Sequence, residues 1–173
     1  MGHVHIPPAR GPVERPLIFL AGPIQGAPAW QATAIARITS EAPDLDVASP
    51  RRAEAGTGDF GEAQYQEQVD WEHDHLAIAA ERGVIMFWLA REAIRIPERS
   101  YAQTTRFELG EAVTIHRYTG ANVVVGIEEG FTNARYLRRT IGKKTPLIAV
   151  CDSLDDTCRH AIALARGVKA LVP

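Results

Sequence analysis

The chain has 173 residues, 46% of them hydrophobic and 23% charged, and Lys+Arg 19 against Asp+Glu 21 gives a net charge of −2. These are the proportions of an ordinary globular domain, which argues against disorder, and no apolar run approaches the ~18–20 residues needed to span a bilayer. A surface for polymeric nucleic acid needs a clustered basic excess, and the composition does not signal one.

The opening segment MGHVHIPPARGPVERP has no apolar core of the kind a secretory signal carries, and its prolines and small polar residues read as a mobile tail over residues 1–15. Residues 16–173 then form one domain. His3 and His5 fall in that tail and read as solvated. The two cysteines, Cys151 and Cys158, are not spaced as a zinc pair and read as reduced, buried thiols. Together these features predict a cytoplasmic protein with no metal and no redox cofactor.

In chain order, Pro16–Leu20 is an apolar run ended by Ala21-Gly22-Pro23 and reads as a buried strand. Trp30–Ile38 has helical spacing, Asp46–Ser49 is a short strand stopped by Pro50, and Gly61–Arg82 is a long proline-free helix. Gly83–Leu89 is the clearest strand. Thr104–Tyr118 is helical with Gly120 as its terminator, and Asn122–Ile127 is a strand. Ala134–Ile141 is a short helix, Pro146–Val150 a strand, and Leu154–Val168 a closing helix capped by Asp152 or Ser153. Five apolar strands separated by helices predict an α/β fold: a doubly wound, flavodoxin-like five-stranded parallel sheet of order 2-1-3-4-5, with helices on both faces. Ligands of such sheets lie beyond the carboxyl ends of the strands, at the switch between the first and third. The loops to inspect are therefore 22–29, 50–60, 90–103 and 128–133.

Gly22 in the first loop serves either a tight turn or the close approach of a ligand to the backbone. The loop is not Gly-x-Gly-x-x-Gly, so a dinucleotide site is weakly supported. Arg51 and Arg52 follow the second strand and could fork onto a ribose hydroxyl or phosphate, or simply be solvated. Thr105-x-x-Glu108 has the form of a capping box. The same Glu108, in the first turn of the helix after the third strand, also faces the ligand edge, where the positive helix end favours its ionised form. On the long helix Tyr65, Val69, Leu76 and Ala79 or Ala80 form an apolar stripe. Glu72 falls within it, either as a site carboxylate or as a salt-bridged flank residue. Asp74 shares a face with Trp71 and Ile78 and reads as solvated, as do His73 and His75.

Phe19-Leu20-Ala21-Gly22-Pro23, Pro50-Arg51-Arg52, Trp71-Glu72, Val84-Ile85-Met86-Phe87-Trp88 and Phe107-Glu108-Leu109-Gly110-Glu111-Ala112 occur in this order. Together they resemble the nucleoside 2-deoxyribosyltransferase superfamily, in particular its deoxyribosyltransferase-like branch, over roughly residues 16–141. The resemblance implies double displacement at a sugar, with Glu108 as the nucleophile that forms a glycosyl-enzyme intermediate. It implies a second acid on the helix before the third strand, for which Glu72 is favoured over Asp74 because of the inward stripe. Gly22, Pro23, Ile24, Arg51, Arg52, Trp71, Trp88 and Thr105 become candidate contacts to a nucleoside or nucleoside monophosphate. The family's first-loop tyrosine has no counterpart after Gly22. Asn133 resembles an asparagine that reaches a neighbouring subunit's site, which implies a homo-oligomer. The competing expectation is a non-catalytic nucleotide-binding module on the same fold, in which Glu108 only caps its helix.

Overall fold

The computed structural model describes residues 1–52 and 61–167. The expected loop beyond Arg52 and the expected end of the last helix at Val168 lie outside the described residues. Among the described residues six parallel strands are present: β1 (Val4–His5), β2 (Leu17–Ala21), β3 (Asp46–Ala48), β4 (Val84–Leu89), β5 (Val123–Ile127) and β6 (Ala149–Cys151). They form one sheet in the order β1-β3-β2-β4-β5-β6. The five expected strands keep the neighbour order predicted for them, but the sheet has six, so the five-stranded expectation is corrected. The extra strand comes from the stretch read as a tail. Only two residues long, β1 has no periodicity to reveal it, and its register on β3 (Val4 beside Val47, His5 beside Ala48) is a tertiary choice.

Helices α1 (Trp30–Glu41), α2 (Glu62–Arg82), α3 (Gln103–Thr119), α4 (Ala134–Lys144) and α5 (Leu154–Ala165) make the crossovers and the closing element. α1 and α5 cover one face, where Trp30, Ala34, Ile38, Cys158 and Ala161 meet Ile18, Leu20, Met86 and Trp88. α2, α3 and α4 cover the other, where Trp71, Ala79, Leu109, Ala112 and Ile141 meet Phe19, Phe87 and Val125. All six residues of β4 are buried because the strand is sandwiched between these layers. Each such large side chain contributes about 1.5–3 kcal/mol of burial. Both cysteines are free and buried. Ser153 caps α5, its hydroxyl accepting from the Asp156 N–H at 3.1 Å, and Gly120 ends α3 in the left-handed conformation.

Two helix readings change. The inward face of α2 carries Gln68, Trp71, His75 and Ala79, one residue out of register with the apolar stripe read from sequence, and Tyr65 is 57% exposed. His75 is thus buried, not solvated: its ring stacks on Trp71 at 3.9 Å and its Nδ1 meets the Trp71 carbonyl at 2.8 Å. Stacking on indole and a local backbone bond let a polar ring occupy a core position. The second change concerns α3, which starts at Gln103 from a left-handed Ala102 with no side-chain cap.

Candidate active site

Because all strands run parallel, their carboxyl ends share one edge, and a cleft of about 890 Å³ opens there between β2 and β4. Residues after β2 (Gly22, Pro23, Ile24), after β3 (Arg51, Arg52), on α2 (Gln68, Glu72) and around the start of α3 (Tyr101, Thr105, Glu108) line it. Its walls are tied together. Gly26 O accepts from the Ala93 and Ile94 N–H groups at 2.8 and 3.0 Å, joining the first loop to the third. Pro23 O accepts from Trp30 Nε1 at 2.9 Å.

Of the carboxylates that line this cleft, Glu72 and Glu108, from different helices, are partly buried, whereas Glu62, Glu92 and Glu98 are exposed. Glu72 lies at the flank of the buried face of α2, and its Oε1 accepts from Gln68 Nε2 at 2.7 Å. Gln68 also donates to Pro50 O at 2.8 Å and accepts at Oε1 from Arg52 Nε at 2.9 Å, while Arg52 Nη2 reaches Glu67 at 3.1 Å. Burial raises the Glu72 carboxyl above its ordinary range, opposed by the Gln68 hydrogen bond and by the nearby His73. Glu108 has no hydrogen-bond or ion-pair partner among the described residues. Burial first, then the negative charges of Glu72 and Glu111, push its pKa up to about 7. This corrects the expectation that the helix end would favour its ionised form. With α3 beginning at Gln103, Glu108 stands in the second turn, past the reach of the free N–H groups, and desolvation prevails. The capping box fails for the same reason: Thr105 sits inside the helix, where it is buried and makes no cap bond.

A family model described as nucleoside 2-deoxyribosyltransferase like matches residues 15–131, more than half of the chain. The chain belongs to this family. The matched stretch runs from just before β2 to the turn after β5 and so contains both carboxylates. No curated protein matches the chain significantly.

The other candidate residues of this deoxyribosyltransferase-like domain separate clearly. Gly22 lines the cleft, but a Cβ there would fall 2.4 Å from Trp88 O and 2.7 Å from the Trp30 ring, so tight internal packing at positive φ explains the glycine. Arg51 has one long hydrogen bond, to Gln31 Oε1 at 3.5 Å, and no acidic partner among the described residues. Asp74 does not line the cleft; it is 56% exposed and pairs with Arg10. Trp71 is fully buried, packed on Phe19 and donating to Ala9 O at 2.9 Å. Trp88 belongs to the core beneath α1 and α5. Asn133 is exposed outside the cleft and holds a left-handed conformation (φ 65°) before α4, a role asparagine fills for backbone reasons.

Two cleft residues escape the sequence reading. Gln68 is detectable only as a Gln four positions before Glu72, a helical pair spacing, and the shifted stripe hid it. Tyr101 lies in the long third loop; its hydroxyl donates to Ala90 O at 2.6 Å, and burial pushes its pKa up to about 12, so the phenol stays protonated. Among the described residues no group of three His, Cys, Asp or Glu side chains is placed to hold a metal ion, and no helix is long and apolar enough to cross a membrane.

Proposed function

We propose that the protein cleaves or exchanges the N-glycosidic bond of a nucleoside or nucleoside monophosphate, with Glu108 as nucleophile and Glu72 as the acid that serves the leaving base. The observation that carries this reading is the pairing of two partly buried carboxyls, one from α2 and one from α3, on a single cleft with like-charge coupling between them. With one carboxyl pushed up to about 7, such a pair can share a proton close to neutrality, as the chemistry of a retaining glycoside site requires. Glu108 attacks the anomeric carbon as the bond to the base breaks, the proton held by the pair goes to the base, and a glycosyl ester remains on Glu108. Water or a second base then cleaves the ester and returns the proton to the pair. Arg51 has unused donors for a ribose hydroxyl or a 5′-phosphate. Asn133 would act only on a neighbouring copy's cleft, in a homo-oligomer.

The test is base release from a panel of ribo- and deoxyribonucleosides and their monophosphates, with and without an acceptor base. Glu108→Gln should abolish release while the protein stays folded. Release at the wild-type rate would remove Glu108 from the chemistry. The rival binding-module reading needs Glu108 as a cap, and its place in the second turn of α3 weighs against that.

A further inference from the structure

We infer that Gln68 is a positioning residue that keeps Glu72 the anion of the resting pair and leaves the proton on Glu108. This deepens the proposed function and rests on it only for the consequence for rate. Glu72 Oε1 receives an N–H from Gln68 at 2.7 Å, and the amide cannot turn away, because its other N–H is held by Pro50 O and its oxygen by Arg52 Nε. An amide fixed at both ends presents only its N–H to Glu72, and an N–H hydrogen-bonds a carboxylate better than a protonated acid. Glu108 has no donor of its own among the described residues. The same cleft therefore offers stabilisation to one anion and none to the other. The charged groups around the pair do not reverse this order. His73 on α2 favours the Glu72 anion, Glu111 on α3 disfavours the Glu108 anion, and Arg52 acts through the amide. Arg51, Glu62, Glu92, Glu98 and Arg99 also line the cleft, and no hydrogen bond joins Arg51, Glu62, Glu92 or Glu98 to either carboxyl.

The nucleophile is therefore masked at rest. The proton on Glu108 must move, by way of Glu72, to the departing base as the C–N bond breaks. The loss of that proton is what frees the Glu108 carboxylate to form the ester. Atoms balance: acid plus nucleoside gives glycosyl ester plus neutral base.

The experiment compares wild type with Gln68→Met, which keeps the volume and removes the amide, using carboxyl ¹³C NMR titration of the unliganded protein alongside the pH–rate profile. In wild type Glu72 should titrate below Glu108. In the variant the Glu72 step should rise by about one unit, as expected for loss of one charge-assisted bond. kcat should fall about tenfold and the acidic limb of the rate profile should move upward, with KM little changed. Arg52→Met, which frees one end of the amide, should shift the same step in the same direction by less and keeps the test open if Gln68→Met does not fold. Unchanged titrations in folded variants would overturn the inference. Shifted titrations in a protein that releases no base from any nucleoside would uphold the role of Gln68 and defeat the glycosidic reading instead.

Discussion

At the scale of single residues, the role proposed for Glu108 carries a cost in stability. Its folded pKa of about 7 lies above the ordinary 4.5, so the folded state binds the proton more tightly than the unfolded chain. Stability is therefore undiminished at and below pH 4.5 and falls as the pH rises toward 7. The loss amounts to up to about 3 kcal/mol when Glu108 is fully ionised. Glu108→Gln removes the charge and keeps the shape. It should raise the denaturant midpoint at pH 8 while leaving the midpoint at pH 4.5 nearly unchanged, alongside its loss of base release. A variant no more stable than wild type at pH 8 would mean that the carboxylate is well solvated. That Glu108 would lie at the ligand edge was legible in the sequence, from its place after the third strand and the motif around it. Its protonation was not: that depends on where α3 begins, and a left-handed Ala102 is not a start signal that residue identity carries.

At the scale of elements, the central strands and most helices could be read from apolar runs and turn residues, because β2, β4 and β5 are buried on both faces. What periodicity could not fix was which side of a helix or strand meets which layer. α2 shows this: its buried face includes Gln68 and His75, both polar, so counting apolar residues places the stripe one position off. β4 shows it too, since Trp88 looked like a cleft residue yet lies over Gly126 of β5. A Cβ on Gly126 would fall 2.2 Å from Thr157 Oγ1 and 2.5 Å from the Trp88 ring. Neither group can retreat, because Thr157 is fully buried on α5 and Trp88 is enclosed by the core. Gly126→Ala should cost about 1–3 kcal/mol through overpacking, seen as a Tm lowered by about 2–4 °C per kcal/mol. None of Gly126, Trp88 and Thr157 lines the cleft, so base release per folded molecule should be retained. A Tm equal to wild type would show that β5 and α5 can separate freely.

At the scale of the whole molecule, the N-terminal segment binds the sheet edge to the helix that carries Glu72. β1 pairs with β3, Asp46 accepts from the His3 N–H at 2.8 Å, Trp71 donates to Ala9 O, and Arg82 donates to Val13 O at 2.6 Å. His75 lies beneath this strap, 5.7 Å from the His5 ring. Its pKa is lowered, chiefly by burial, against the hydrogen bond to Trp71 O and the nearby Asp74, and with His5 and Arg10 adding to the lowering. The folded state thus binds this proton less tightly than the unfolded chain does, so the contribution of His75 is complete above its ordinary 6.5 and declines as pH falls below it. Glu108 acts in the opposite sense over 4.5 to 7, gaining stability as pH falls. The two titrations oppose each other below pH 6.5, each limited to about 1.4 kcal/mol per pH unit, so the wild-type curve there should lie between those of variants that lack one group or the other. Two single variants separate them. In Glu108→Gln the Glu108 gain is removed while Glu72, also raised, still opposes His75, so between pH 6.5 and 5 stability should drop relative to wild type. In His75→Phe, which keeps a flat ring on Trp71, the His75 loss is removed, Glu108 and Glu72 act in the same sense, and stability should rise over the same interval. Urea melts at half-unit steps of pH measure both. Parallel curves for the two variants would mean that neither of these buried groups departs from its ordinary value.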